Sequence, residues 1–151
     1  ELPIKVVSND HIGYRTFNES LICGGSLKHY DKPVNLDHIN KVNRNAYRIE
    51  TRLLFLIPKP EFDTTPKLLK TNQYETIKEV ASRRKSWNTL MEELPVRRKL
   101  LMESGNMFYI HHKFDNGGRT YAKAYHFNYQ GIAFLKAQIQ SFHKEIVEPI
   151  F

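Results

Sequence analysis

The feature that most constrains how this chain can fold is an Asp-Asn-Gly-Gly turn at positions 115–118. Glycine adopts positive φ angles at no steric cost, so two glycines after an Asp-Asn pair favour a tight reversal of the chain. Beyond the turn, Arg119, Tyr121 and Lys123 fall at every second position, with small residues between them. A period of two places those three side chains on one face of a strand. The sequence therefore predicts a strand–turn–strand unit with one cationic, aromatic face.

This face has two interpretations. An arginine fork holds a phosphate through two parallel hydrogen bonds, and a tyrosine stacks on a base or donates a hydrogen bond. Asp115 precedes Arg119 by four residues, so its carboxylate is placed to keep the guanidinium aimed at such a ligand. The alternative is an exposed hairpin whose aspartate and arginine form an ordinary surface ion pair. The residue types alone leave both interpretations open.

A helical pattern begins at Asn35, a residue type that is preferred as a helix N-cap. Apolar residues recur every three or four positions from Leu36 to Leu56, and Pro58 ends the run, which predicts an amphipathic helix of about six turns. The side of this helix opposite the apolar residues carries four cations at helical spacing: Lys41, Arg44, Arg48 and Arg52. These cations form either an ordinary solvated face or a surface that faces phosphates. The second interpretation is favoured because like charges one turn apart repel each other.

The other predicted elements are three helices and two strands. Helices are expected over 74–94, over 95–105 with Pro95 in the first turn, and after Gly131. Strands are expected over 107–112 and 120–127, on either side of the turn. The predicted fold class is therefore mainly α with a few short β-strands, within the α+β class. The last helix is expected to bury one apolar stripe: Leu135, Ile139, Phe142 and Ile146.

Length and charge limit the class of protein. The chain has 151 residues, and we expect an irregular segment at 1–34 and a helical region at 35–151 that act as one domain. Its net charge of +7 favours nucleic acid as a partner ahead of an anionic membrane. No apolar run is long enough to span a bilayer, and the N-terminus lacks the pattern of a secretory signal. The single cysteine, Cys23, suits a reducing cytoplasm.

The residues themselves predict no active site. His111 and His112 with Asp115 match no standard zinc spacing, which favours strand or turn histidines over a metal site. Nothing near Cys23 in the sequence would activate its thiol, which favours a buried thiol over a nucleophile. Metal-dependent phosphoryl transfer needs at least two converging carboxylates, whereas the acids of this chain are scattered. We therefore expect no catalytic residue and no bound metal in this chain.

Two stretches of the sequence match motifs of one known family in the right order. Residues 115–121, DNGGRTY, followed by NYQG at 128–131, resemble the signature D-x-x-G-R-x-Y…N-x-Q-G of the single-subunit RNA polymerases, the phage and mitochondrial type. Residues 39–49, INKVNRNAYRI, are similar to that family's Ile-Asn…Gln-Asn-Thr-x-Trp-x-Ile helix. The resemblance covers roughly residues 35–142. It implies the N-terminal, pre-palm part of a right-hand polymerase fold.

The resemblance also implies roles for individual residues. Arg119 would hold a phosphate of the template strand, and Tyr121 would touch the template near the growing end of the RNA. Gln130 and Gly131 would line the channel of the RNA–DNA hybrid, with Lys123 on the same surface as Arg119. The residues expected to shape the turn are Asp115, Gly117 and Gly118. On charge alone, the predicted nucleic-acid surface also takes in the stripe of the first helix: Lys41, Arg44, Arg48 and Arg52.

In that family, Mg²⁺ ions held by two aspartates of the palm carry out the chemistry, and the sequence ends at Phe151, before such a palm. The chain thus looks like the small subunit of the split, heterodimeric bacteriophage RNA polymerases (RNA polymerase II type). We expect as partners a larger palm and fingers subunit that binds the Mg²⁺, a DNA template and an RNA–DNA hybrid, and no membrane. Nucleotidyltransferase activity is expected only in the heterodimer, in the cytoplasm of an infected bacterial host. The alternative is a stand-alone basic module that binds nucleic acid without polymerase activity.

Overall fold

A computed structural model describes residues 3–8, 20–22, 34–54, 56–115 and 117–144. Helix makes up 35% of the described structure and strand 16%. The helices are α1 (Leu36–Asn43), α2 (Ile77–Glu103) and α3 (Ala133–Lys136), with a short 3₁₀ helix at Thr51–Leu53. The strands are β1 (Ala46–Ile49), β2 (Phe108–Tyr109), β3 (His112–Phe114), β4 (Thr120–Ala122) and β5 (Ile139–Ser141).

The strands form two small antiparallel sheets. In the first sheet, β1 lies between β2 and β5, so Tyr47 is paired with Phe108 on one side and with Ser141 on the other. The second sheet is the hairpin of β3 and β4, in which His112 lies opposite Ala122. The first sheet therefore joins three segments that are far apart in the sequence, whereas the second is local.

The predicted fold, a mainly helical pre-palm part of a right-hand polymerase, is wrong. The described residues form a small α+β domain with two antiparallel sheets, and nothing in them shows a polymerase fold. The error originates in two segments, 46–49 and 139–141, whose apolar spacing suits a helix but which pair with each other as β1 and β5. A segment of three or four residues fits the apolar period of a helix and that of a strand equally well. Its neighbours across the sheet then decide which structure forms.

The first helix begins where the sequence predicts and ends much earlier. The side chain of Asn35 accepts a hydrogen bond from the backbone N–H of His38, as expected of an N-cap. Helix α1 then ends at Asn43, and the chain continues as strand β1. Ile49 is fixed in this strand by Asn106, whose side-chain amide bonds to both the N–H and the C=O of Ile49 at 2.9 Å. The prediction of a single six-turn helix over this region is therefore wrong.

Helix α2 is one continuous helix where the sequence predicts two. A reciprocal capping box at Thr76 starts it. Pro95 lacks the N–H that would bond to the carbonyl of Met91, yet the helix continues through this position. Packing holds the helix here, because Met91 and Leu94 are both buried in one hydrophobic cluster. The predicted stop at Gly105 is confirmed, with a φ of +93°.

The last predicted helix is also wrong. Within the described part of this segment, only Ala133–Lys136 is helical, and Leu135 in it is buried. Ile139 lies in β5 instead, opposite Ile49 of β1. Ile146, which the prediction placed on the same helical stripe, lies outside the described residues.

Residues near the N-terminus brace the hairpin from its inner side. Val6, Leu21 and Ile22 are buried in a hydrophobic cluster with Ile39 of α1 and Phe114 of β3. The backbone N–H of Phe114 also donates to the carbonyl of Leu21 at 3.0 Å. Because Phe114 directly precedes the glycine turn, this cluster fixes the point from which the turn projects.

Candidate nucleic-acid interface

The turn closes the β3–β4 hairpin as predicted. The N–H of Asp115 donates to the carbonyl of Arg119 at 3.0 Å, and that of Gly118 donates to the carbonyl of Asp115 at 3.2 Å. Gly118 has a φ of +81°, a conformation that costs any residue with a Cβ free energy. At Gly117 a Cβ would lie 3.4 Å from Asp115 Oδ1, an ordinary contact. Gly118 is therefore the glycine that the turn requires.

Asp115 supports the backbone of the turn instead of the arginine fork. Its Oδ1 accepts the backbone N–H of Arg119 at 2.8 Å, and its Oδ2 accepts the hydroxyl of Tyr121 at 3.4 Å. The predicted bond between this carboxylate and the guanidinium is not formed. Among the residues that the structure describes, the Arg119 guanidinium has no hydrogen-bond or ion-pair partner. The turn thus fixes the backbone of Arg119 and leaves its fork open to a ligand.

The strand after the turn has one exposed and one inward side. Arg119, Tyr121 and Lys123 are exposed, Tyr121 to 39%. Thr120 is half-buried and Ala122 is buried. This alternation agrees with the predicted shared face, which we call the hairpin face (Arg119, Tyr121 and Lys123). That the hairpin face binds nucleic acid stays a prediction.

Asn128 and Gln130 complete the outer edge of β4. Gln130 Oε1 accepts the N–H of Ala122 at 2.7 Å, and Gln130 Nε2 donates to the carbonyl of Thr120 at 3.2 Å. Asn128 Nδ2 donates to the carbonyls of Ala122 and Ala124 at 3.1 and 3.0 Å. Strand β3 pairs with the other edge, so these two side chains take the place of a third strand. The strand that carries the hairpin face is therefore fixed on both edges.

Gln130 and Gly131 thus have structural roles that the motif did not reveal. The amide of Gln130 is engaged by the backbone of β4. At Gly131 a Cβ would approach the carbonyl oxygen of Asn128 to 3.1 Å, which explains a residue without a side chain there. The sequence singles out both positions but not these contacts, because the unpaired edge of a strand is visible only in the fold. Their contact with an RNA–DNA hybrid stays a prediction.

His112 is the buried centre of the hairpin's inner side. Its Nδ1 lies 2.9 Å from Asn43 Oδ1, and its Nε2 lies 2.6 Å from the hydroxyl of Tyr129. Burial lowers the pKa of His112 to about 4, with a smaller contribution from neighbouring His111, so the ring is neutral at pH 7. Because Asn43 Oδ1 can only accept, Nδ1 carries the proton of the neutral ring, and Nε2 accepts from Tyr129.

This network joins the two stretches that resemble the polymerases. Asn43 belongs to the stretch 39–49 and Tyr129 to the NYQG segment, and both meet on His112. The ring of Tyr129 also stacks with that of Tyr47 of β1 at a centroid distance of 5.6 Å, and burial raises the pKa of both phenols. The prediction of a strand histidine at His112 is confirmed. The network itself was missed, because its members come from three separate parts of the chain.

The four cations predicted as one helical stripe do not share a face. Lys41 lies on α1 and Arg44 directly follows it, whereas Arg48 lies on β1 and Arg52 in the 3₁₀ helix. Glu50 binds both of the latter: its Oε2 lies 3.3 Å from Arg48 and its Oε1 lies 3.3 Å from Arg52. The common face is wrong because α1 ends before Arg44.

Glu50 therefore neutralises half of the predicted stripe. A bond from the backbone N–H of Arg52, and then the guanidinium groups of Arg52 and Arg48, hold the pKa of Glu50 below its usual range. Lys41 and Arg44 are exposed. Contact of any of the four cations with nucleic acid stays a prediction.

A groove of about 500 Å³ continues the hairpin face. Its walls come from the C-terminal half of α2, from residues 107–111 and from residues 123–127. The cations Arg97 and Lys123 line it, and none of the described lining residues is acidic. Lys123 belongs to the groove and to the hairpin face alike. The sequence did not indicate this groove, because the prediction divided α2 at Pro95 and gave its second half no partner.

Two further features concern metals and membranes. Within the described ranges, no group of three or more histidine, cysteine, aspartate or glutamate side chains is placed to hold a metal ion. None of the helices that the structure describes is long and apolar enough to cross a bilayer. The Mg²⁺ expected on a larger partner chain stays a prediction.

Comparison with known proteins assigns no family. No protein-family model matches the chain, and no curated protein is significantly similar to it in sequence. The likeness to the single-subunit RNA polymerases rests on the two motif stretches quoted above, and it stays a prediction.

Proposed function

We propose that this chain is a nucleic-acid-binding subunit of a DNA-dependent RNA polymerase. It positions the template strand and the RNA–DNA hybrid for nucleotidyl transfer, which a larger palm and fingers subunit catalyses. The observation that carries the proposal is the guanidinium of Arg119, which is exposed and has no partner among the described residues. The two motif stretches that meet on His112 support the polymerase context.

A fixed strand suits this function. An arginine fork loses less entropy on binding a phosphate when the backbone beneath it is already ordered. Strand β3 and the side chains of Asn128 and Gln130 provide that order for β4. Tyr121 adds a ring for stacking, and the net charge of +7 adds sequence-independent attraction to phosphates.

The chemical step belongs to the partner. Mg²⁺ ions held by carboxylates of its palm would activate the RNA 3′-hydroxyl and stabilise the leaving pyrophosphate. The present chain contributes orientation, because in-line attack is fast only when the reacting groups are held in register. Alone, the chain is expected to be inactive in transcription.

Transcription by the complex of this chain with its larger partner tests the proposal. We expect Arg119→Ala to slow elongation or to increase abortive products while the complex still assembles. Arg84→Ala is the matched control, because Arg84 is also exposed but lies over the ring of Phe62 beside α2. An unchanged transcript yield with an unchanged salt dependence in the Arg119 variant would contradict the proposal.

A stand-alone nucleic-acid-binding module is the second candidate, and the net charge of +7 favours it without reference to any polymerase. Co-purification separates the two functions. A polymerase subunit should bring down a larger chain with paired aspartates in equal amounts. A stand-alone module should bind single strands tightly by itself and bring down no such chain.

A further inference from the structure

We propose that the groove beside the hairpin face holds one unstacked base of a single-stranded nucleic acid, with Tyr125 as the ring on which the base stacks. This inference rests on the proposed function, since the hairpin face must first bind the backbone of the same nucleic-acid strand. It goes further by naming the form of the nucleic acid, a single strand, and the site of one base.

The lining of the groove matches the two parts of a nucleotide. Its inner surface is apolar and aromatic, with Leu101, Phe108 and Phe127, and its cations are Arg97 and Lys123. A base presents an apolar π face, and its phosphate carries a negative charge, so each part meets a suitable surface. The volume of about 500 Å³ is in the range of small-ligand sites.

Tyr125 is oriented by the protein and remains open to solvent. Its exposed fraction is 57%. The ring of His126 lies perpendicular to it at a centroid distance of 4.8 Å. His126 is held in turn by Glu93 of α2, with 2.5 Å between Nε2 and Oε2. A ring that is already held in place loses little entropy when a base stacks on it.

Lys123 connects the groove to the hairpin face. It lines the groove and lies on the same side of the strand as Arg119 and Tyr121. Four steps of extended chain separate Arg119 from Lys123, a span of about 13 Å at the rise of a strand. A strand whose phosphates lie along Arg119 and Lys123 would therefore bring its next base to Tyr125. A base of an intact duplex remains stacked and cannot enter the groove in this way.

An apolar segment of a protein partner is the other occupant that such a groove admits. That occupant would leave Arg97 and Lys123 without a counter-charge, because no described lining residue is acidic. A phosphate supplies the counter-charge. Charge complementarity therefore favours the nucleotide.

The test compares two labelled strands of equal length, oligo(dT) and the same backbone without bases, by fluorescence anisotropy with the full chain. We expect oligo(dT) to bind about tenfold more tightly than the abasic strand. Tyr125→Ala should weaken binding of oligo(dT) several-fold and leave binding of the abasic strand unchanged, whereas Tyr125→Phe should keep the affinity for both. Tyr74→Ala is the matched control, because Tyr74 is exposed to 69% and does not line the groove.

Equal affinity of the unmodified chain for both strands would overturn the inference and leave the phosphate-binding hairpin face intact. Equal losses for both strands in Tyr125→Ala would also overturn it, because the ring would then support the fold and not a base. Unchanged strand binding in Tyr125→Ala, with loss of pairing to the larger subunit, would make the groove a protein interface instead. Binding of neither strand by the unmodified chain would overturn the inference, whereas the proposed function is decided separately by transcription with the larger partner and the Arg119 variant.

Discussion

The two sides of the β3–β4 hairpin use their polar groups differently. On the inner side, His112 is buried, and its two ring nitrogens are bonded to Asn43 and Tyr129. On the outer side, Arg119 is exposed, and its guanidinium has no partner among the described residues. The two ring nitrogens of His112 are thus bonded within the protein, whereas the Arg119 guanidinium is bonded to no described residue.

A second arginine shows that this distinction cannot be read from charge. Arg83 donates to both carboxylate oxygens of Glu75 and to the backbone carbonyls of Asp63 and Thr65. All three of its side-chain nitrogens are thus used within the protein. Both side chains are arginines of a chain with a net charge of +7, and only their surroundings separate a structural arginine from a candidate ligand-binding one.

The largest expected effect is a loss of stability in acid that depends on His112. Its pKa is about 4 in the folded protein against 6.5 in the unfolded chain, so between these values the unfolded state binds more protons. The free energy of unfolding should therefore fall as the pH drops from 6.5 to 4, by up to about 3 kcal/mol from this residue. Urea unfolding, measured in steps from pH 7 downwards, gives this dependence.

The variant His112→Gln removes that titration and keeps a hydrogen-bonding side chain. It should be less stable than the unmodified chain at pH 7 and should lose less stability on acidification. His143→Gln is the control, because His143 is exposed. If His112→Gln kept the full pH dependence, the inner side of the hairpin would not be the buried, neutral region described above.

The next effect concerns the outer edge of β4. Asn128→Ala leaves the carbonyls of Ala122 and Ala124 without their donor, and we expect it to lower the free energy of unfolding by about 2 kcal/mol. Gln130→Ala should cost about 1 kcal/mol, because Gln130 is exposed and water replaces part of its bonding. Urea unfolding measures both losses. Two neutral substitutions would mean that these side chains do not support the strand.

Hydrogen exchange locates the same effect. In Gln130→Ala the amide of Ala122 should lose protection, because Gln130 Oε1 is its acceptor. The amide of Lys123 should keep its protection, since it bonds to the carbonyl of His111 across the hairpin. Loss of protection at both amides would indicate that the whole hairpin opens, not its outer edge.

A smaller effect is expected at the two glycines of the turn. Gly118→Ala should lower the free energy of unfolding by about 1 kcal/mol, because its φ of +81° disfavours a Cβ. Gly117→Ala should change it by less than about 0.5 kcal/mol, because its Cβ would make only an ordinary contact with Asp115. Thermal or urea unfolding of the pair measures the difference. Equal losses would show that crowding, and not backbone conformation, makes the turn depend on glycine.

Local chemistry explains what the sequence predicts well. The turn depends on Gly118 alone, and the hairpin face depends on alternation along the five residues from Arg119 to Lys123. The N-cap at Asn35 and the stop at Gly105 are likewise decided by their immediate neighbours. In each case the physical cause lies within a few positions of the residue that shows it.

The remaining features depend on segments that meet only in the folded chain. Strand β1 forms because residues 46–49 pair with β2 and β5, and their apolar spacing alone also fits a helix. The groove at Tyr125 likewise has walls from α2 and from two later segments. Gln130 bonds to residues only eight and ten positions away, but this edge of β4 is the unpaired one only because β3 takes the other edge. The sequence did contain a signal that Arg48 and Arg52 would be neutralised. Glu50 is the single acid close to them in the sequence, and in the structure it binds both.

The smallest expected effect on stability is that of Arg119→Ala, and it decides whether the two sides of the hairpin differ in kind. The free energy of unfolding should change by less than about 0.5 kcal/mol, because the guanidinium has no partner among the described residues. Affinity for a polynucleotide should fall, and the slope of log K against log salt should decrease by about 1, as one phosphate contact is lost. Arg83→Ala should instead lower the free energy of unfolding, because Arg83 is bonded to Glu75, and it should leave the slope of log K against log salt unchanged. A loss of stability in Arg119→Ala with an unchanged salt slope would make Arg119 a second structural arginine, and the outer side of the hairpin would then serve the fold as the inner side does.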